Sequence, residues 1–251
     1  MRTPPAGGEP DFLIVDGFDR LDAAAMVPQW EAPWLGSAQR MFLERMNTYG
    51  YAVQHARALA ACGLSFDGAM NEAVAAGDVA LADYAALDWF VGEDSLADSS
   101  AANAALDDDE RALLSAYLDG GGRLLLSGSE IGYDLAGQGR DPDFYHDYLR
   151  AEYLGDDAGT YTYAGLGVAP FAGLSGTFDD GSGGGYDVNS PDRIDALPGA
   201  AVVLTYTQAL TPALGTGAGV ACDDGPGGAR LVYLGFPLES VVDEDQRQAL
   251  A

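Results

Sequence analysis

The chain has 251 residues, of which 48% are hydrophobic, and its 39 acidic residues stand against 12 arginines and no lysine, giving a formal net charge of −27. This length and apolar content are typical of a protein with a packed core. The negative charge repels nucleic-acid phosphates and anionic lipid headgroups, which argues against nucleic acid as a partner. No run of about eighteen apolar residues occurs, so we expect no membrane span.

Three explanations of the acidity stay open: adaptation to high salt, codon bias of a GC-rich genome, and an extracellular surface that meets divalent cations. We expect a secreted or cell-surface location, with a halophilic cytoplasm as the alternative. Dense carboxylates repel one another at low ionic strength, so stability is expected to rise with added salt or calcium.

The first half of the chain alternates strand and helix patterns. Phe12 to Val15 is an apolar run that ends in Asp-Gly, which is typical of a buried parallel strand. Apolar residues recur at helical spacing from Asn47 to Cys62, and Gly63 ends that helix. The stretch "LSFDGAMNEAV" predicts a second strand, and Ala85 to Val91 predicts a third.

A helix with an acidic first turn follows at Asp107, and Gly120 to Gly122 end it. Residues 123–127 form the fourth predicted strand, and it leads directly into "GSEIG" at 128–132. These glycines have the spacing of a nucleophile elbow, the tight turn that presents a reactive side chain. Its central residue is Glu130, a carboxylate where a nucleophile would stand.

The second half is less regular. We predict that "DPDFYHDYLRAEYLG" is helical, that residues 155–198 are loops and short strands inserted at one edge of the sheet, and that Val220 and Leu231 belong to a hairpin. Strand-helix alternation indicates a mostly parallel, doubly wound α/β sheet of flavodoxin-like type. We expect residues 1–10 to be a linker and residues 11–251 to form a single domain.

The order of five motifs carries a resemblance to a known family. "LIVDGFDR", "DWFVGED", "LLLSGSEIGYDL", "FDDGSGGGYDV" and "VYLGFPLES" resemble the class I glutamine amidotransferase-like domain of secreted bacterial proteins named xanthan lyases or N-acetylmuramoyl-L-alanine amidases. The similarity covers most of residues 11–245. It implies a fold in which a catalytic Cys occupies the elbow and a His with a Glu follows the last strand.

This chain departs from that pattern at both catalytic positions. Glu130 occupies the elbow. The stretch that matches the histidine motif reads Phe236-Pro237-Leu238-Glu239, which contains no histidine, and only Glu239 matches, at the position of the acid. A carboxylate cannot perform thiolate addition, and without an adjacent imidazole there is no proton shuttle. We therefore expect no glutaminase activity, and we interpret His55 as a packed or capping imidazole.

Ligands of open parallel sheets bind beyond the carboxyl ends of the strands. There the ligand-binding candidates are Asp16, Asp19, Arg20, Asp94 and Ser129. Three readings of Glu130 stay open: it locks its own turn by accepting backbone amides, it binds a ligand or cation, or it performs acid/base chemistry. The last reading requires a second carboxylate, for which the candidates are Glu93 and Glu239.

Calcium is the one cofactor that the sequence favours, because Ca²⁺ takes oxygen ligands. The Gly-rich stretch that carries Asp179, Asp180 and Asp187 is the best local candidate for a metal site, although solvated turns explain it equally well. The two cysteines, Cys62 and Cys222, are expected to be free and buried, with a mutual disulfide as the alternative.

By resemblance, the chain is expected to be a degenerate, non-catalytic accessory module of a secreted protein that acts on cell wall or polysaccharide. Its partners would be other domains of that protein and carbohydrate or peptidoglycan, and its crevice would hold a small polar ligand, a sugar or a cation. Two alternatives stay open: a hydrolase of glycosidic or amide bonds that uses Glu130 with a second carboxylate, and a structural spacer.

Overall fold

The computed structural model describes residues 10–21, 27–40, 47–96, 103–208 and 215–251. The predicted linker, residues 1–10, lies outside these ranges except for Pro10. The strands are β1 (Phe12–Asp16), β2 (Val27–Ala32), β3 (Gly36–Arg40), β4 (Phe66–Met70), β5 (Ala86–Phe90), β6 (Arg123–Ser127), β7 (Ala151–Gly155), β8 (Thr162–Gly165), β9 (Ser175–Thr177), β10 (Arg193–Ala196), β11 (Ala201–Tyr206), β12 (Gly217–Asp223) and β13 (Arg230–Leu234). The α-helices are α1 (Ala52–Ala61), α2 (Asn71–Ala75), α3 (Asp108–Asp119), α4 (Pro142–Asp147) and α5 (Glu244–Leu250).

The described residues also contain short helical turns, which are 3₁₀ helices at Leu81–Asp83 and Leu238–Ser240 and a π-helical turn at Tyr133–Gly137. No helix in the described ranges is both long and apolar enough to cross a bilayer.

The centre of the molecule is a parallel sheet of flavodoxin-like strand order. Its neighbours run β4-β1-β5-β6-β13, and all four pairings are parallel. Numbered along the chain these five strands have the order 2-1-3-4-5, which is that of doubly wound folds of this type. The predicted fold class is confirmed, including the strand at 123–127 with the bounds that the sequence predicted.

Both faces of this parallel sheet are covered, because successive side chains on a strand point to opposite faces. Leu13 and Leu126 pack in one buried cluster with Leu114 of α3. Ile14 and Leu125 pack in a second buried cluster with Leu59 of α1 and with Leu250 of α5. The apolar runs of β1 and β6 therefore supply two cores at once.

Helix α3 begins where its charge pattern predicts. The Asp107 carboxylate accepts the Glu110 backbone N–H at 2.8 Å, and the Glu110 carboxylate accepts the Asp107 backbone N–H at 2.7 Å. This reciprocal capping box satisfies two amides that the helix itself leaves unpaired. The acidic run therefore has a structural role.

The sheet continues beyond β13 as antiparallel strands. The predicted hairpin is β12 with β13, and β11, β8 and β9 follow outward in that order. Strand β10 pairs with both β12 and β7. The region predicted to hold loops and short strands therefore extends one edge of the sheet.

The helix predicted across residues 141–155 is wrong in its second half. Helix α4 ends at Asp147, Arg150 takes a left-handed backbone conformation with φ of 51°, and β7 begins at the next residue. The competing interaction is the pairing of β7 with β10, whose residues lie about 40 positions along the chain. A local pattern carries no signal of such a distant partner.

Candidate functional site

The loops at the carboxyl ends of the parallel strands form the edge at which the candidate site lies. Because β1, β5, β6 and β13 are adjacent and parallel, the turns that follow them meet at one edge of the sheet. The predicted site residues outside the Asp-rich segment lie in or beside these turns.

Asp94 joins the first of these loops to the loop after β5. Its carboxylate accepts the backbone N–H groups of Asp19 and Arg20, each at 2.8 Å, and it is fully buried. Burial raises the pKa of Asp94 well above its usual range, while these two hydrogen bonds lower it. The Arg20 guanidinium donates to the Glu93 carbonyl oxygen at 3.0 Å. The structure therefore brings together four of the predicted site residues: Asp19, Arg20, Glu93 and Asp94. The Asp94 carboxylate is used in accepting the two backbone amides.

The turn after β6 is the predicted strand-turn-helix connection, but Glu130 does not have a positive φ. The backbone therefore lacks the strain of a nucleophile elbow. Asp192 holds the turn: its carboxylate accepts the backbone N–H of Gly132 at 2.6 Å and of Tyr133 at 3.2 Å. One of the three readings of Glu130, that it locks its own turn, is wrong, because Asp192 performs that role.

Ser129 is 1% exposed, and its hydroxyl donates to the Gly92 carbonyl oxygen at 3.3 Å. The Ser129 backbone N–H donates to the same oxygen at 2.9 Å. The serine side chain therefore points into the loop after β5.

Glu130 itself is partly buried, and its side chain makes no hydrogen bond or ion pair with any residue that the structure describes. Burial, followed by the charges of Asp192, Asp156, Asp134 and Glu93, raises its pKa to about 10. At neutral pH this side chain is a neutral carboxylic acid with an unused O–H donor and an unused carbonyl acceptor. Such a group has the chemistry to bind a polar ligand or to act as a general acid.

A second cluster, buried beneath α1, was not predicted. His55 Nδ1 lies 2.8 Å from Asp88 Oδ2, and His55 Nε2 lies 3.3 Å from Glu239 Oε2. The Tyr186 hydroxyl donates to the other oxygen of Glu239, Oε1, at 2.6 Å. His55 also stacks on Phe90, with ring centroids 4.3 Å apart. We call Asp88, His55, Glu239 and Tyr186 the buried relay.

The electrostatics of the buried relay favour a charged imidazole. Burial lowers the pKa of His55, but the charge and hydrogen bonds of Asp88 and Glu239 outweigh it and raise the pKa to about 10. His55 and Asp88 are fully buried, and Glu239 is 4% exposed. An imidazolium held by two carboxylates has no free ring nitrogen to offer a substrate.

Asp88 is the residue that could have revealed this cluster. It stands in the middle of β5, "ALDWF", where every residue is buried. A carboxylate in such a strand requires a hydrogen-bonded or charged partner. His55 is packed in the core, as predicted, but its partner Asp88 was not predicted.

Asp16 lies within the electrostatic reach of the buried relay. Burial raises its pKa to about 7, a hydrogen bond from the Phe18 amide lowers it, Glu239 raises it and His55 lowers it. The charge of Glu93 raises the pKa of Glu130 and also that of Tyr186, so Glu93 acts electrostatically on both groups. Of the two carboxylates proposed to act with Glu130, Glu239 is committed to the buried relay, which leaves Glu93 as the candidate.

The Asp-rich segment folds back on itself. Asp179 accepts the backbone N–H groups of Gly183 and Gly185, each at 2.8 Å. Asp180 accepts the Ser182 hydroxyl, and Asp187 accepts the Tyr161 hydroxyl at 2.8 Å. Among the described residues, no group of three or more His, Cys, Asp or Glu is arranged to hold a metal ion. The calcium assignment stays a prediction.

The two cysteines are free. Cys62 is exposed, so the prediction of a buried thiol is wrong there, and Cys222 is partly buried. Cys62 ends α1, shortly before β4 begins, and Cys222 pairs with Leu231 near the start of β13. Both thiols therefore lie towards the edge of the sheet opposite to Glu130.

Comparison with known proteins identifies the fold. The structure named "mmIFT52 N-terminal domain" is similar to 94% of this chain over 93% of its own length, with a TM-score of 0.50 and 12% identity. At that identity the likeness shows the fold alone. No protein-family model matches the chain, and no curated protein matches it.

Two glutamine amidotransferases are also similar to this chain. The enzyme from Methylobacillus flagellatus aligns with 92% of the chain and 70% of its own length, with a TM-score of 0.42 and 12% identity. The enzyme from Thermotoga maritima aligns with 94% of the chain and 79% of its own length, with a TM-score of 0.47 and 14% identity. The strand order and the site thus define a flavodoxin-like α/β protein with an acid at the turn after β6.

Proposed function

We propose that the chain is an amidotransferase-like accessory module that binds a small hydroxyl-rich ligand at Glu130 and has no glutaminase activity. The observation that carries the proposal is the state of Glu130, a neutral acid at the carboxyl edge whose side chain has no partner among the described residues. The side-chain oxygens of Glu130 are not among the fully buried polar atoms that lack a partner, so water reaches them, and a ligand that displaces this water takes over its hydrogen bonds.

The absence of glutaminase activity is supported by the positions of the groups that could have replaced the missing triad. His55 has both ring nitrogens beside carboxylates, and Ser129 donates to a carbonyl oxygen. Neither group is placed to activate the other.

The ligand class follows from the chemistry of the neighbours. Glu130 offers both a donor and an acceptor, and the charges of Asp156 and Glu93 help to keep it protonated. Sugar hydroxyls both donate and accept, so a sugar satisfies both atoms of this neutral carboxyl group without displacing its proton. A cell-wall or polysaccharide fragment, in a secreted parent protein, is the ligand that we propose.

Calorimetric titration of the purified chain with soluble peptidoglycan and polysaccharide fragments tests this. Binding without turnover is expected in the wild type, retained binding in Glu130→Gln, which keeps a neutral donor and acceptor, and loss in Glu130→Ala. Asp78→Asn is the matched control, since Asp78 is exposed and precedes β5 at the opposite edge. Equal binding by all the variants contradicts the site, and absence of binding in the wild type favours a structural spacer.

A cation is the competing ligand, and the same titration separates it from a sugar. A cation at Glu130 displaces its proton, so the measured heat depends on the ionisation enthalpy of the buffer. A neutral sugar leaves that proton in place, and the heat is then the same in every buffer.

A hydrolase is the second candidate, and the raised pKa of Glu130, to which the charge of Glu93 contributes, favours it. In such an enzyme Glu130 is the general acid and Glu93 the second carboxylate. Turnover of a polysaccharide fragment that is lost in Glu130→Gln and retained in Asp78→Asn, with folding intact in both, supports the enzyme over the binding module.

A further inference from the structure

A cavity of about 320 Å³ lies between α1, α5, the Leu238–Ser240 turn and the Asp-rich segment. Its volume is at the lower end of small-molecule sites. It is separate from the proposed ligand site at Glu130, and its lining includes two arginines, Arg57 and Arg247. Cations are scarce in this chain, which has 12 arginines against 39 acidic residues.

The carboxylates that line the cavity are already occupied. Asp179 accepts two backbone N–H groups of its own loop, at Gly183 and Gly185. Glu239 accepts the Tyr186 hydroxyl on one oxygen and faces His55 with the other. These acids therefore have their partners in the loop and in the buried relay, and they do not pair with the arginines.

The arginines, by contrast, retain unused donors. Arg57 is exposed and makes no hydrogen bond or ion pair with any described residue. Arg247 is 8% exposed and donates from one terminal nitrogen to the Glu239 and Val241 carbonyls, but its buried Nε–H has no partner among the described residues.

Arg57 and Arg247 also act on each other. Burial lowers the pKa of Arg247, the charge of Glu244 raises it, that of Arg57 lowers it, and those of Glu239 and Asp243 raise it. Two guanidinium groups near one another, with donors left over, are the arrangement that binds an oxyanion, because the guanidinium fork matches carboxylate and phosphate oxygens.

We propose that this cavity is a second ligand site, which binds a small molecule bearing a phosphate or carboxylate group between Arg57 and Arg247. Tyr51 and Val242 line the same cavity and supply contacts for the rest of the molecule. The site is independent of the function proposed for Glu130.

Calorimetric titration with inorganic phosphate, and separately with acetate, tests the proposal at constant ionic strength maintained with sodium chloride. The wild type is expected to bind at least one of the two anions. Arg57→Gln is expected to bind that anion about 10- to 100-fold more weakly, the effect of one lost charge-assisted hydrogen bond. Arg57→Lys keeps the charge without the planar fork and is expected to fall between them.

Arg123→Gln is the matched control. Arg123 is exposed at the start of β6, and its replacement removes the same charge from the opposite edge of the sheet. It is expected to bind as the wild type does. The proposal is overturned if neither anion binds the wild type, or if Arg57→Gln and Arg123→Gln weaken binding equally, which would reduce the effect to overall charge. The relative affinity for phosphate and acetate assigns the ligand class. Glutaminase and sugar-binding assays report on Glu130 and do not affect this outcome.

Discussion

Replacing His55 by glutamine removes the only cation of the buried relay, the ring that both Asp88 and Glu239 face. Breaking a buried ion pair by removing one partner costs about 3–5 kcal/mol. The pKa of His55 gives a consistent figure: a rise from 6.5 to about 10 corresponds to roughly 5 kcal/mol of interaction with the charged ring, at about 1.36 kcal/mol per pKa unit. Because a domain is stable by only about 5–15 kcal/mol, this variant is expected to be near unfolding at 25 °C.

Urea denaturation at pH 7, followed by far-UV circular dichroism, measures the free energy of unfolding. The chain supplies its own control, His146→Gln, because the His146 side chain is 39% exposed and lies 3.7 Å from Glu152. That exposed pair is worth at most about 1 kcal/mol. The triple variant His55→Gln, Asp88→Asn, Glu239→Gln removes all three charges and is expected to be more stable than His55→Gln alone. A His55→Gln variant that matches His146→Gln would refute the charged relay.

The pH dependence of the same variant has a definite sign. The folded-state pKa of His55 is raised, so its contribution to stability is fully present below about pH 6.5 and is lost as the pH rises through about 10. The difference between wild type and His55→Gln is therefore expected to narrow as the pH approaches 10. A difference that widens with pH contradicts the assignment.

Three further outcomes are expected. Glu130→Gln is expected to raise the free energy of unfolding by about 1–3 kcal/mol at pH 8 and by less at pH 5. The reason is that the folded protein holds a proton on Glu130 that the unfolded chain releases above a pH of about 4.5. An unchanged free energy of unfolding at pH 8 would exclude a neutral Glu130. Asp192→Ala costs about 1–3 kcal/mol, since the amides of Gly132 and Tyr133 lose their acceptor; denaturation curves that coincide with wild type would show that other contacts hold the turn. The thermal midpoint is expected to rise when sodium chloride or calcium chloride is added, because both salts screen the net charge of −27. A larger rise of the midpoint in calcium chloride than in sodium chloride at equal ionic strength would support the cation site at Asp179, Asp180 and Asp187.

The sequence predicted those parts of the fold that depend on local pattern. The apolar runs of β1 and β6 define buried strands because each supplies both cores of a doubly covered sheet. The acidic run from Asp107 to Glu110 predicted the start of α3 because negative charge is favourable in a first helical turn, and the capping hydrogen bonds that the structure shows there are local. The grouping of the predicted site residues at one edge of the sheet was also predictable, because the carboxyl ends of adjacent parallel strands meet at the same edge.

The features that sequence reasoning missed depend on contacts between distant residues. Asp192 holds the turn at Gly132 from 60 positions along the chain. His55 and Glu239 are 184 positions apart. No periodicity or spacing encodes such pairs, although the carboxylate of Asp88 within the apolar strand β5 is a local signal, not used in the sequence prediction, that a buried partner must exist.

Titration of the Glu130 side-chain carboxyl by ¹³C NMR, assigned by comparison with Glu130→Gln, tests the central claim most directly. We expect this carboxyl group to stay protonated from pH 3 to pH 8 and to titrate with a midpoint of about 10. A midpoint near 4.5, the ordinary pKa of glutamate, would contradict the central claim. It would show that Glu130 is a solvated carboxylate at neutral pH and that this edge of the sheet has no neutral acid to bind a ligand.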